Sequence, residues 1–587
     1  MRSRHKIAAA SLVALAGLAM LVDATPAALT ASVSGGFLEK AGSPTYRARF
    51  TAAQMASFLP AGGVKGRFTF PAPYGTEAVR LTDATDCADG QDCVWYVGYS
   101  YWRTMNNHVG SDTMLILLGF DRERGGAGPS LLAYDKRTDQ VQNLGPLFSA
   151  QSVWSFAAAE GWYFSALVPT RLYAFLPGSA VLRRFDVAAR QFEPAPALDL
   201  NLCPRPAVCP ADAAFIYQPH SSDDDAVHSA TVQSADFRRL GCIVSRAGGF
   251  VYVPTRDGYS LDECHLDKSG RWLIVLETGS GGALDNRIID ASTGAVTAVS
   301  DFDGALGHLD TGLGYAVGAD NYNPLPNASI LLTFPLAGTA RPLGPVVHFN
   351  KRWDIAAANH ITHGNAVPGS PDGQFACGSN ASRVLDMADE IVCFSLNPDR
   401  QPDGSLDVLV VGQVMTDLDA PGGGAADYGK MPKGNLDVTG RYFMWTANLG
   451  GNRLDAFLVK VPGELLTGPG GDPPVTLHVG DLDGSAASLG RGRWRGTVAA
   501  QVHDDQHRPV AGAAVSAAWS GGYSGSASCI TDSTGRCSVT TANLRNDAGT
   551  VTLAVAEVRY ASLPYGGAFN HDPDGDSDGT AVTVRKP

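Results

Sequence analysis

From about residue 67 to residue 463 the chain is written in short apolar runs broken by Gly, Asp, Asn and Pro. TMLILLGFD (113–121), SLLAYDKRT (130–138), WLIVLET (272–278), NRIIDAST (286–293), SILLTFPL (329–336) and DVLVVGQV (407–414) are examples. Runs of this length with turn residues on both sides predict strands, and no stretch carries a long, capped helical period. The runs fall into groups of four: a polar strand, a very apolar strand, a strand ending in an Asp-led turn, and an edge strand. The phrases YDKRTDQ, FDVAARQ and IDASTGA occupy that third-strand turn in three groups. Groups start near residues 102, 151, 214, 261, 306, 356 and 427. The last lacks a fourth strand, which the early run RFTFPAPYGTEAVRLTD (67–83) is free to supply. The pattern predicts an all-β fold, a seven-bladed β-propeller, in which radial repetition removes exposed sheet edges. Six and eight blades are the competing counts.

The flanks differ. MRSRHK followed by the apolar run IAAASLVALAGLAMLV reads as a signal peptide over 1–24, with a small-residue cut after Ala24 or, alternatively, near Ala31. An uncleaved anchor is the competing reading. Residues 25–66 are a lead-in with little periodicity, and the propeller spans 67–463. The passage PGELLTGPGGDPPVTL places a Pro/Gly linker at 464–480. Beyond it, GTVAAQVHDDQHRPVAGAAVSAAWSGG, CITDSTGRC and TVTLAVAEV predict a small Ig-like β-sandwich over 481–587.

Composition narrows the function. The chain has 587 residues, enough for more than one core. Its net charge is −13 with no basic stripe, which argues against a nucleic-acid partner. After signal cleavage nothing else is long and apolar enough to hold it in a membrane. The ten cysteines form five local pairs: Cys87 with Cys93, Cys203 with Cys209, Cys242 with Cys264, Cys377 with Cys393, and Cys529 with Cys537. None forms C-x-x-C, so five short-loop disulfides in an oxidising, secreted or periplasmic setting are expected.

Chemistry enters through a repeated phrase. ECHLDKSGRWL (263–273), GHLDTGLG (307–314) and KGNLDVTGRYF (433–443) share His/Asn-Leu-Asp before a Gly turn. The register predicts that His265, His308 and Asn435 sit at equivalent heights on innermost strands, with HITH (360–363) on the blade between. The Leu-Asp itself is read as a turn device, its carboxylate capping free N–H groups. The histidines could instead converge on the central funnel, where neutral imidazoles suit Zn, Mn or Ni. His108 in NNHVGSD is a further funnel candidate. Arg287 and Arg453 share an Asn-Arg-Ile/Leu pattern and are candidate carboxylate donors or pairs within their blades. HSSDDDAVH (220–228) reads as a solvated loop, with cation binding as the alternative. Asp572, Asp574, Asp576 and Asp578 alternate as DPDGDSDG, a candidate calcium loop that lacks the usual acidic residue at its twelfth position. No P-loop and no dinucleotide fingerprint in a βαβ setting is present.

The order His265, His308, then HITH one blade later is similar to the oligogalacturonate lyases, over roughly the central 180 residues. The resemblance implies His265 as base and His308, His360 and His363 as ligands of a divalent metal, Mn or Zn. The spacing here is H-x-x-H, and Ala357 stands where that family has Gln. The tail resembles the Ig-like domains appended to exported bacterial proteases, on Arg508-Pro509-Val510, Gly512-Ala513, Trp519 and the Cys529/Cys537 hairpin. The function these features imply is an exported carbohydrate-active propeller, a metal-assisted polysaccharide or oligouronide lyase with an oligo- or polysaccharide partner. Asn435, Arg287, Arg453 and His108 would then contact substrate. The alternatives are a non-catalytic glycan- or protein-binding propeller and a metal-dependent hydrolase. The sequence leaves the oligomeric state open.

Overall fold

The computed structural model describes residues 33–40, 45–95, 101–107, 111–279, 286–299, 305–320, 328–334, 346–349, 362–363, 375–379, 381, 383, 389–396, 407–467, 476–504, 509–510, 512–532, 534–560, 565–572 and 577–587. It is all-β and built from small antiparallel sheets. Seven of these follow one another along the chain. Sheet I runs Met105–Asn106, Thr113–Phe120, Gly128–Asp135, Gln140–Pro146. Sheet II opens at Tyr163–Phe164, and sheet III comprises Ala213–Ser221, His228–Ser234, Arg239–Arg246 and Gly249–Pro254. Sheet IV comprises Ser260–Leu266, Trp272–Thr278, Arg287–Asp290 and Val296–Val299; sheet V opens at Ala305–Thr311, and sheet VI at Thr362–His363.

Sheet VII begins with Asn435–Leu436, Tyr442–Ala447 and Asp455–Lys460, and is completed by Glu77–Arg80 and Gly66–Thr69 from the other end of the chain. The early apolar run thus supplies two strands. The lead-in adds a third, Phe37–Lys40, as the outer strand of sheet VI. It also holds a short helix, Ala52–Phe58, with a Thr51/Gln54 capping box. Sheets touch in sequence, and Gly66–Thr69 of sheet VII packs against Gln140–Pro146 of sheet I. The second strands are buried almost throughout, as in Thr113–Phe120 and Tyr442–Ala447. Apolar side chains from neighbouring sheets interdigitate there: Leu81, Ile116, Tyr134, Met444 and Leu458 share one cluster. Each sheet therefore buries both faces, which explains runs that are apolar without a break rather than alternating.

The Leu-Asp phrase resolves into a turn. Asp267 Oδ1 accepts from Trp272 N (2.8 Å) and Arg271 N (3.0 Å), and Oδ2 accepts from the Ser269 hydroxyl (2.6 Å). Asp437 repeats this with Tyr442 N (2.7 Å) and the Thr439 hydroxyl (2.5 Å). Both carboxylates also reach the next sheet, Asp267 taking Gly314 N (2.9 Å) and Asp437 taking Asn107 Nδ2 (2.7 Å). The device is both a turn cap and a rivet between sheets.

All five cysteine pairs are disulfides. Cys242–Cys264 joins the third strand of sheet III to the first of sheet IV. The C-terminal unit begins at His478, inside the stretch expected to be linker. Its two four-stranded sheets pack around Val479, Leu482, Trp494, Val498, Trp519, Leu553 and Val582. The alternating burial of Arg493–His503 and Ala514–Gly521 fits one face inward and one outward. Among the described residues, no helix is long and apolar enough to cross a membrane.

Candidate functional site

The first strands of neighbouring sheets touch: Met105–Asn106 with Tyr163–Phe164, Ala213–Ser221 with Ser260–Leu266, and Thr362–His363 with Asn435–Leu436. The segment Tyr101-Trp102-Arg103-Thr104 lies where several of them meet. Thr104 O accepts from Leu117 N of sheet I (2.8 Å), and Arg103 O accepts from Phe164 N of sheet II (2.8 Å). Trp102 Nε1 donates to Pro219 O of sheet III (3.0 Å). Trp102 O accepts from Asn435 Nδ2 of sheet VII (2.8 Å). The Tyr101 hydroxyl donates to Glu263 of sheet IV (3.2 Å to each oxygen). Four consecutive residues therefore tie five sheets together. Tyr101, Trp102 and Arg103 are all buried there.

A polar cluster lies beneath this plug. His265, 1% exposed, places Nε2 2.7 Å from Glu263 Oε1. Its ring meets Tyr101 edge-on at 4.5 Å and His220 at 4.6 Å. His220, 5% exposed, is held well below the usual imidazole range, first by burial and then by His265 and Lys268, and so is neutral. Burial, reinforced by Glu263, pushes the Tyr101 phenol well up, so it stays a donor. Arg103 pairs with Asp223 (2.6 Å) and Lys268 faces Asp310 (3.7 Å). Burial lowers the Lys268 pKa despite Asp310, whereas at Arg103 burial is opposed by Asp223, Asp225 and Asp310, and the net shift is upward. His220 Nε2 and His265 Nδ1 are buried and make no hydrogen bond to the described protein. These groups supply acid–base partners, and both cations already face carboxylates. Among the described residues, a partly open pocket lined by Tyr101, Trp102, Arg103, Tyr163, His220, Ser221, Leu266 and Lys268 measures about 10 Å³. That is room for one water.

Of the residues singled out in the sequence, His265 and Asn435 belong to this region. Asn435 clamps the plug backbone. His308 and His363 have their backbones in first strands of sheets V and VI, and their side chains lie outside the described residues, as do His108 and His360. Arg287 and Arg453 are not near the cluster's groups. Arg287 binds Glu277 and Pro254 O (2.7 Å), and Arg453 binds Asp455. Arg287 also bridges sheet IV to sheet III, and Arg453 pairs with its own sheet. Asp574 and Asp576 lie outside the described residues. Asp572 accepts from Ser577, and Asp578 Oδ1 caps Thr580 N (2.9 Å) and Ala581 N (2.6 Å).

The stretch 220–228 is not a solvated loop. His220, Asp225 and His228 are buried, because Arg103 takes Asp223 and Arg171 takes Asp225 (3.0 Å), which removes the cost of burying the acids. Sequence reasoning passed over Tyr101, Trp102, Arg103, Glu263 and Lys268. The one signal was YWRT just ahead of NNH, with Met105 between: Asn107 binds Asp437 and Thr439, and so locks the plug's own strand to sheet VII. A second histidine group went unread. His478, His503 and His571 in the C-terminal unit bring their ligand atoms within 4.8 Å of one another, a set that could hold a metal ion.

No family model and no curated protein matches this chain. Solved structures with similar architecture include an oligogalacturonate lyase in complex with manganese, at 12% identity and a TM-score of 0.42, covering 69% of this chain and 98% of that one. An oligogalacturonate lyase from Vibrio parahaemolyticus gives 12%, 0.39, 68% and 96%. A gluconolactonase from Xanthomonas campestris gives 11%, 0.30, 73% and 98%. At these scores no activity or site residue transfers from them.

Proposed function

We propose that this chain is an exported seven-bladed β-propeller with an Ig-like C-terminal domain, and that it acts as a non-catalytic module recognising extracellular oligo- or polysaccharide. What supports this reading is the tight packing of the described residues around Tyr101–Arg103. About 10 Å³ admits a water, whereas ligand pockets run to roughly 300 Å³ and more. The residue expected to be a base, His265, is sealed beneath Tyr101. The two cations that would hold a uronate carboxylate already face Asp223 and Asp310. The segment 101–104 then serves as the fastener between sheets.

One observation favours the lyase reading instead. The Tyr101–Glu263–His265 chain beside neutral His220, Arg103 and Lys268 has the acid–base and cationic groups that proton abstraction beside a carboxylate needs. That chemistry requires residues 101–104 to lift.

The two separate by experiment. Purified protein is incubated with a panel of acidic polysaccharides, with and without chelator, and followed at the unsaturated-uronate absorbance band. The same panel is printed for binding. Binding without new absorbance is the expected result. Product formed by the wild type and lost in His265→Gln would establish the lyase; no binding to any glycan would point to a protein ligand.

A further inference from the structure

We propose that the C-terminal domain carries a three-histidine site for a divalent transition metal of the zinc class, formed by His478, His503 and His571. The argument begins with strand register. His478 opens the strand His478–Gly490, and His503 closes its antiparallel partner Arg493–His503. The two are direct cross-strand partners, which places their side chains on one face a few ångströms apart.

The third histidine arrives from a separate segment that is laced onto the same strand. Gly566 N donates to Leu477 O (2.8 Å) and His571 N to Val479 O (3.0 Å). Val479 N donates to Asn570 Oδ1 (2.8 Å), and Asn570 Nδ2 in turn reaches the Tyr565 hydroxyl (2.7 Å). The three ring centroids lie 5.1, 5.8 and 6.0 Å apart. His478 is 2% exposed and the other two are half-buried, so the set opens to solvent on one side.

Two glycines make room for it. A Cβ on Gly480 would stand 2.0 Å from His503 Nδ1, so only glycine leaves that imidazole its place. Gly480 sits at the register shift between Val479 and Asp481, a bulge that re-aims neighbouring side chains. Gly579, at φ +72, would bring a Cβ 2.5 Å from His571 N. The backbone is thus relieved behind two of the three rings.

Three neutral imidazoles with an open side form a ligand set suited to Zn²⁺, which leaves a fourth position for water or a carboxylate. With metal–nitrogen bonds of about 2.0–2.1 Å, tetrahedral nitrogens stand about 3.3 Å apart. From separations within 4.8 Å the rings close by at most about 1.5 Å, a matter of side-chain rotation. Imidazole ligands favour zinc, copper or nickel over calcium or magnesium, which prefer oxygen. Bound metal would fasten segment 565–571 to the strand pair and stabilise the domain by mass action.

The test uses the full chain, stripped with chelator and dialysed. Co(II) is titrated as a spectroscopic probe and Zn(II) by competition, with bound metal counted by elemental analysis. The expected result is one equivalent per chain, visible-region Co(II) absorbance, a rise in thermal midpoint with Zn(II), and an apparent affinity at least about 100-fold weaker in His571→Gln and His503→Gln. Circular dichroism confirms that both variants fold; should one not, the other and the wild-type stoichiometry still decide. A wild-type chain that binds no Zn(II) at micromolar concentration, or binds one equivalent that both variants retain, would overturn the site. Glycan binding is measured separately, so failure here leaves the hub reading untouched.

Discussion

At the scale of single residues, two copies of the repeated phrase share a turn device, at Asp267 and Asp437, and differ two residues ahead of it. Asp267 and Asp437 each collect several N–H and hydroxyl donors inside buried turns. Replacing either with Ala strands those donors, and a loss of about 2–3 kcal/mol is expected in urea unfolding. That role was legible because an Asp before Ser/Thr-x-Gly has a local mechanism. The fate of His265 was not legible. What covers it is Tyr101, 164 positions upstream, and no local pattern encodes that meeting. Trp102→Ala removes the plug's largest ring and leaves Pro219 O without its donor. The expected cost is about 3–5 kcal/mol, read as a lower denaturation midpoint with no gain of lyase activity.

His228 gives a pH signature. Burial first, then Arg184, holds its pKa down to about 3, with Asp224 opposing and Arg171 reinforcing. The unfolded imidazole titrates near 6.5 and therefore binds its proton first as pH falls. Stability conferred by the neutral ring is complete above about pH 6.5 and is lost as pH drops from there towards 3. His228→Gln should flatten the fall in thermal midpoint over that window, while lowering stability at pH 7 through the lost Ser221 contact (2.7 Å).

At the scale of elements, strands were the readable currency. Second strands such as Thr113–Phe120 are buried on both faces, and an unbroken apolar run says so directly. Phe37–Lys40 escaped notice because FLEK is a half-exposed outer strand with two charges, indistinguishable in sequence from a loop. The Ala52–Phe58 helix is seven residues long, too short for its period to register. Disulfide pairing was legible from proximity alone, yet its effect lies between elements. Cys242–Cys264 spans 22 residues and binds two sheets. The double Cys→Ser variant should lose about 3 kcal/mol, measured by thermal unfolding against the wild type, whereas Cys203–Cys209 closes a loop within one sheet's connection and should matter less. The histidine triad was illegible for the opposite reason. Its members are 25 and 68 residues apart in sequence, and only the His478/His503 register and the docking of residues 565–571 unite them.

At the scale of the whole molecule, the all-β character and the supply of strands from residues 67–83 to the last sheet were available in the sequence, because each group of strands restates the same burial pattern. The interior of the ring was not. A hub is made by the meeting of many distant first strands, and its fill depends on a four-residue segment belonging to none of the repeats. Two candidate functions follow from two states of that segment, closed as observed or lifted, and the paired absorbance and binding assays distinguish them.

The two strands Gly66–Thr69 and Glu77–Arg80 have a further consequence, which concerns time rather than shape. They leave the ribosome or the export channel early, yet their partner Asp455–Lys460 follows almost 380 residues later. Until then sheet VII does not exist and its neighbours lack a flank, so the domain is a late folder whose closing contact is about as non-local as its length allows. If the chain is exported as proposed, late closure would keep it threadable in transit. A version with residues 66–80 moved by circular permutation to follow Lys460 should fold faster, as measured by refolding kinetics.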